Sequence, residues 1–226
     1  FDRSQVLDQL RPPAHAPEFS RVFAARTCMM AGVGLTGVFL WYLVRFWVYG
    51  KAVVLTSAPL TIPAGFLIAG MAVATLIGAA LASWAAGPIS ERIEEKNIPV
   101  ARVVAGACLL YAAGLALAWG LGVWSTGTAR ENGMLLFALI SGFAFGVYDS
   151  LGLELVMDSL PDPRRAGRDL GIYALANSAG LALAAIIGAL LVNAFEHSFG
   201  YYLLFPSAIV MVLLAGIVTL TTKSAE

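Results

Sequence analysis

A carboxylate inside an apolar run is the residue of this sequence best placed to do chemistry. Asp149 lies in Phe145-Gly146-Val147-Tyr148-Asp149-Ser150. A carboxylate in hydrocarbon costs several kcal/mol, so we expect it to face the protein interior or a cavity. Gly142, Gly146 and Asp149 share one helical face by their i, i+4, i+7 spacing. Asp149, with Tyr148 before it and a glycine face beside it, could bind and release a proton or cation. The alternative is an aspartate near the inner interface, satisfied by helix ends and water.

Two further polar residues accompany Asp149. Asn177 or Ser178, in the fifth apolar run, is expected at a similar depth and is therefore the predicted partner of Asp149. Glu154 follows Asp149 on the same helix. It lies either at the cytoplasmic rim or in the path of the coupling ion.

Arg45 is the cation inside the first apolar run, one turn after Trp41. At about 1.5 Å per residue, Arg45 and Asp149 differ by roughly 20 Å in depth, so direct pairing is not expected. Arg45 either belongs to the transport path or extends its charge to the interface. Trp41 either anchors the helix at the interface or lines a sugar or drug site.

A second group of charges lies at helix ends on two loops. Such charges could bridge neighbouring helices and hold one conformation. The alternative is a set of solvated surface pairs worth under about 1 kcal/mol each. The members are Glu91, Arg92, Arg165, Arg168 and Asp169.

Six long apolar runs must position these residues. Each is long enough to cross a hydrocarbon core of about 30 Å as a helix. Of the 226 residues, 59% are hydrophobic and only 12% are charged. A single soluble core of this size could not bury that much apolar surface. The runs show no alternation of apolar and polar residues, so an all-α polytopic membrane protein is predicted rather than a β-barrel. The runs are 27–49, 60–86, 98–120, 132–156, 169–194 and 200–222.

The basic residues are distributed unevenly between the two sides of the predicted membrane. Eleven of the 14 lysines and arginines fall in the first 26 residues, in or just beyond the second and fourth loops, and in the tail. The positive-inside bias therefore puts both termini in the cytoplasm, which agrees with an even number of crossings.

Several classes of function lack their residues here. There is no GxxxxGK[ST] phosphate loop. Two histidines and two cysteines form no metal-ligand set, and Cys28 and Cys108 are interpreted as small packing residues. No nucleophile–base pair and no basic–aromatic nucleic-acid surface is evident. We expect no enzymatic activity, no cofactor and no metal.

Glycine and alanine crowd the helices, with a GxxxG at Gly142 and Gly146. Small residues let helix backbones approach closely in a membrane. They indicate either static packing or smooth faces that slide during a conformational cycle.

Two loop motifs resemble those of the major facilitator superfamily. Gly87-Pro88-Ile89-Ser90-Glu91-Arg92 resembles its G-x-L-[SD]-[DE]-R loop, although Ile93-Glu94-Glu95-Lys96 replaces the usual basic continuation. The stretch from Leu160-Pro161-Asp162-Pro163 to Ala166-Gly167-Arg168-Asp169-Leu170-Gly171 resembles the loop between the fourth and fifth helices of the second half in bacterial members.

This resemblance implies the C-terminal six-helix half of a secondary transporter, built as two inverted three-helix repeats. It also implies alternating access for a small solute, a bacterial inner-membrane location and a gate at the loop charges. Expected partners are lipid, a solute and a second six-helix bundle, which is a missing N-terminal half, another subunit or a second copy. The rival reading is a non-transporting membrane anchor or assembly subunit.

The expected organisation has three parts. Residues 1–20 form a Pro-rich cytoplasmic entry, residues 21–222 the transmembrane bundle, and residues 223–226 a cytoplasmic tail. The start at Phe1-Asp2-Arg3 without Met leads us to expect a fragment or a processed piece.

Overall fold

Six long helices make up the part of the chain that the structure describes. This computed structural model describes residues 17–49, 61–125, 127–160, 166–195 and 197–222, and contains no strand within them. Five helices are long and apolar enough to cross a membrane, and a sixth crossing is present if a bent helix counts as one span. The prediction of an all-α polytopic membrane protein is confirmed. The helices are α1 Pro17–Gly37, α2 Thr61–Glu95, α3 Val100–Trp124, α4 Thr128–Asp158, α5 Ala166–Ala194 and α6 His197–Leu220.

The first span is bent. After α1 the chain continues through a helical turn, Leu40–Tyr42, and a π-helical segment, Leu43–Val48. The two parts meet at 42°. The π-helical segment carries Arg45 and buries Trp47 against Tyr202 and Phe205 of α6.

Helix α1 begins at Pro17, ahead of the first apolar run. The last four residues of the Pro-rich entry expected over 1–20 are therefore helical, because a proline at the first helical position lacks only an N–H that would have no intrahelical partner. The earlier start places Arg21 and Arg26 in the helix. Residues 1–16 and 223–226 lie outside the described residues.

The facilitator-like motif after the second run is helical, which corrects its prediction as a loop. Helix α2 continues through Gly87 to Glu95 with Pro88 inside it. The helix is terminated by a turn at Asn97, two residues after Glu95, where φ is 49°. The Ile98 N–H donates to Ile93 O at 3.0 Å, a left-handed helix cap that asparagine tolerates. Charged residues past the apolar run extend the helix because water solvates them there.

Helix pairing follows a repeated pattern. Helix α1 packs on α5 and α6, α4 packs on α2 and α3, and α3 meets α6. Exchanging the first three helices with the last three reproduces these pairs. Because a three-helix unit reverses the chain direction, the two repeats have opposite orientation, as predicted. Helices α1 and α4 touch only sparsely.

Glycines set the closest helix crossings. A Cβ at Gly142 of α4 would overlap the Thr75 carbonyl oxygen of α2, and one at Gly78 would overlap Leu139 O. A Cβ at Gly180 of α5 would lie 2.7 Å from Thr27 O of α1. The pairs α2–α4 and α1–α5, equivalent under the repeat, therefore both need small residues for backbone approach.

Helices α2 and α5 are the least covered spans. In each of these two helices only 22% of the 18-residue apolar stretch is buried, compared with 50% in α3 and in α4. Phe66, Trp84, Ile186 and Leu190 are exposed along them. These equivalent helices therefore present the largest apolar faces to whatever surrounds this bundle.

Candidate functional site

An arginine from α1 ties together α4 and α5. The Arg26 Nη1 lies 2.7 Å from Asp149 Oδ1, and the Arg26 Nε donates to Asn177 Oδ1 at 2.7 Å. Arg26 is 7% exposed, whereas the Asp149 side chain is 56% exposed. The cation is therefore held inside the protein and its carboxylate partner faces outward.

Three aromatic rings surround the Arg26 guanidinium. Its Cζ lies 5.6 Å from the ring centroids of Phe145 and Tyr148 and 5.7 Å from that of Tyr173. Cation–π attraction strengthens when the cation is desolvated. The rings and the two polar partners together replace the water that Arg26 lacks.

Local packing explains how Asn177 reaches Arg26. One turn further along α5, Gly180 lets that helix approach α1 at Thr27 and Met30. Helices α1 and α5 run in the same direction, so the residue one turn before Gly180 lies beside the residue just before Thr27. A side chain larger than hydrogen at Gly180 would push these two polar groups apart.

Asp149 also lines a cavity of about 410 Å³ between α2 and α4. Val33 of α1 and Tyr111 of α3 contribute to the same wall. Four further lining residues carry hydroxyl groups: Thr75, Ser83, Ser141 and Ser150. The carboxylate thus joins a buried arginine on one side to an open, hydroxyl-rich space on the other.

The sequence-predicted residues divide into two sets. Asp149, Tyr148 and Asn177 come together around Arg26. Glu154 is exposed further along α4, and neither it nor Trp41 is among the described residues that line the cavity.

Arg45 is also absent from the described lining of the cavity. Its Nε is buried and has no hydrogen-bond partner among the described residues. Asp149 is paired instead with Arg26, in keeping with the expectation that Arg45 and Asp149 do not meet directly.

The predicted gate residues occupy two helix ends. Glu91 and Arg92 are exposed in the last turns of α2. Asp169 is buried and Arg168 half-buried in the first turn of α5, where a carboxylate suits the helix dipole. Arg165 lies outside the described residues. Their role as a gate stays a prediction.

Arg26 is the one residue of this cluster that the sequence did not single out, because it belongs to the basic residues that flank the first apolar run. A signal was present, because Val22 and Met29 lie about one turn before and after it on the same face, and both are buried. An arginine between apolar residues on one helical face indicates an interior position. Arg21, by contrast, pairs with Glu18 at 2.8 Å near the surface.

The family model of the Major Facilitator Superfamily matches residues 63–226, which is more than half of the chain. The chain therefore belongs to this superfamily of membrane transporters. The match includes Asp149, Asn177 and the cavity-lining parts of α2, α3 and α4, whereas α1 with Arg26 precedes it. No curated protein and no solved structure matches the chain significantly.

Proposed function

We propose that this chain is one six-helix half of a secondary active transporter that moves a small solute by alternating access. The observation that carries the proposal is the position of Asp149, which opens into a cavity while it is paired with the buried Arg26. An exposed carboxylate held by a desolvated cation can exchange that partner for a proton or a solute. Asp149 is the coupling residue of this proposal.

The ion pair connects two groups of helices that could move relative to each other. Helix α1 packs with α5 and α6, while α4 packs with α2 and α3, and α1 and α4 otherwise touch sparsely. Protonation of Asp149 removes the charge that attracts Arg26, while Asn177 keeps its hydrogen bond to Arg26. Proton binding therefore weakens the tie between the two groups of helices, and proton release restores it.

A second bundle would complete the transport path. The apolar faces of α2 and α5 and the exposed carboxylate together favour a protein wall opposite the cavity, because lipid cannot solvate a charge. That wall is supplied by another six-helix segment or by a second copy of this chain. The basic-residue bias supports an orientation with both termini in the cytoplasm. The bacterial inner membrane is the location that we propose with it.

Transport in liposomes by the protein purified together with its second six-helix bundle tests this function. A panel of cationic, neutral and anionic solutes is offered with and without a proton gradient. We expect at least one solute to accumulate above its equilibrium level, and a protonophore to abolish that accumulation. If no solute crosses faster than in protein-free liposomes, the chain is better explained as a membrane anchor or assembly subunit.

A further inference from the structure

We propose that the transported solute is an organic cation with N–H donors, and that Asp149 binds its ammonium group in the cavity. This inference rests on the proposed function, because it takes the cavity beside Asp149 as the solute site. It names the chemical class of the solute from the groups that the cavity presents.

The charge of the cavity is the first argument. Among the described residues that line the cavity, Asp149 is the only aspartate, glutamate, lysine, arginine or histidine. Arg26 is 7% exposed and is not among those residues. The charged group that lines the cavity is therefore a carboxylate.

The hydroxyl groups of the lining are the second argument. Four of the five hydroxyl groups among the described lining residues donate their one hydrogen to a carbonyl of their own helix. The bonds are Thr75 to Met71 O at 2.9 Å, Ser83 to Ala79 O at 3.1 Å, Ser141 to Ala138 O at 3.1 Å and Ser150 to Gly146 O at 2.7 Å. The hydroxyl oxygens keep only acceptor capacity for a solute.

A wall of acceptors selects for a donor. An ammonium group carries N–H donors and no acceptor, so it satisfies both the carboxylate and the hydroxyl oxygens. A carboxylate or phosphate would face acceptors and a like charge, which disfavours it. The remaining hydroxyl of the lining, on Tyr111, is hydrogen-bonded to Thr36.

Size and the aromatic edge complete the site. A cavity of about 410 Å³ falls within the range of about 300–1,000 Å³ typical of small-molecule sites. The Phe145 side chain lines it and offers apolar contact to the carbon skeleton of a solute. An arylalkyl or alkyl amine matches the charge, donors, ring and volume together.

Binding of such a cation and of a proton would be mutually exclusive. The protonated carboxyl of Asp149 releases its proton as the ammonium binds to the carboxylate formed, so charge at the site is conserved. The predicted transport mode is therefore exchange of the organic cation against a proton.

Equilibrium binding to the purified chain in detergent tests the inference at pH 7. The probes are phenethylamine, its neutral match 2-phenylethanol and the anion 3-phenylpropanoate. We expect the amine to bind at least tenfold more tightly than either match. Asp149→Asn should weaken amine binding at least tenfold, whereas Asp158→Asn, the same chemical change at the end of α4, should leave it unchanged.

A double variant that replaces both charged partners with neutral residues controls for loss of binding caused by misfolding. Because Asp149→Asn leaves Arg26 buried without its counter-charge, the double variant Arg26→Gln with Asp149→Asn is measured beside it. Loss of amine binding in a folded double variant supports the inference. Tighter binding of the anion than of the amine, unchanged amine binding in Asp149→Asn, or no binding of the amine to the wild type would overturn it.

The outcome separates this inference from the proposed function. Gradient-driven accumulation of a neutral or anionic solute, without amine binding, would keep the transporter and remove the cation site. Amine binding without transport of any solute would keep the cation site and remove the transport function.

Discussion

The guanidinium of Arg26 lies 2.7 Å from the carboxylate of Asp149, although the helices that carry them hardly touch elsewhere. The two partners differ in their surroundings, because Arg26 is buried and Asp149 faces a cavity. Removing either partner should therefore have unequal consequences. The loss of Asp149 leaves a buried cation, whereas the loss of Arg26 leaves a carboxylate that water can reach.

The free energy of unfolding should differ between variants that lack Asp149 and variants that lack Arg26. We expect Asp149→Ala to destabilise the protein by about 1–3 kcal/mol, because it leaves a buried charged donor unpaired. Arg26→Gln should cost less, since glutamine can still hydrogen-bond Asn177. In a double-mutant cycle the coupling should be about 0.5–3 kcal/mol. The measurement is equilibrium unfolding in detergent.

The surface pair Glu18–Arg21 is the matched control. Its atoms are 2.8 Å apart, but both side chains are partly exposed. We expect Glu18→Gln to change stability by less than about 1 kcal/mol. An equal loss for both pairs would mean that burial does not distinguish the Arg26–Asp149 pair.

Asn177 should stabilise the protein through its hydrogen bond to Arg26. Asn177→Leu removes the acceptor of the Arg26 Nε, and we expect it to cost about 1–3 kcal/mol. Ser178→Ala, at the exposed neighbouring position, should be close to neutral. Thermal unfolding of the two variants decides this, and similar effects of both would contradict the assigned hydrogen bond.

The glycine crossing between α2 and α4 should not tolerate a methyl group. At Gly142 a Cβ would overlap the Thr75 carbonyl, whereas at Gly106 of α3 it would meet nothing within 4 Å. We expect Gly142→Ala to destabilise the protein and Gly106→Ala to be neutral or stabilising by up to about 1 kcal/mol, as helix propensity favours alanine. A reversed order in thermal unfolding would exclude close α2–α4 packing.

Labelling of single cysteines tests the orientation. In a background without Cys28 and Cys108, cysteine at Ser90 should resist a membrane-impermeant reagent added outside the cell, and cysteine at Ser125 should react. The basis is the bias of basic residues toward the side that holds both termini and the 87–97 and 157–168 segments. Labelling at Ser90 but not at Ser125 would invert the topology.

Hydropathy and charge were sufficient to predict the six helices, because lipid permits few other backbone structures. They could not locate helix ends that continue into water, and so the motif at Gly87 to Arg92 was assigned to a loop. The end of α2 depends on the left-handed turn at Asn97, a local backbone feature that apolar run length does not contain.

The candidate site was only partly predictable for a different reason. The cost of a charge in lipid singled out Asp149, and matching depths singled out Asn177. The connecting residue, Arg26, was hidden by its position next to ordinary flanking arginines. Its burial depends on the close approach of α1 to α5 at Gly180, a tertiary contact that charge counting does not contain.

The effect of Asp149→Asn on transport in proteoliposomes tests the central proposal most directly. Asparagine mimics the protonated carboxyl and keeps its shape, so it removes the coupling proton while leaving a neutral acceptor toward Arg26. For a neutral or anionic solute that the wild type accumulates, we expect gradient-driven accumulation by Asp149→Asn to fall at least tenfold while solute exchange across the membrane survives. For an amine, which Asp149 itself would bind, both accumulation and exchange should fall, and Asp158→Asn should retain both. Full accumulation by Asp149→Asn would contradict a coupling role and leave Glu154 as the next acid to test, and equal loss of accumulation and exchange of a neutral or anionic solute would show that Asp149 is structural.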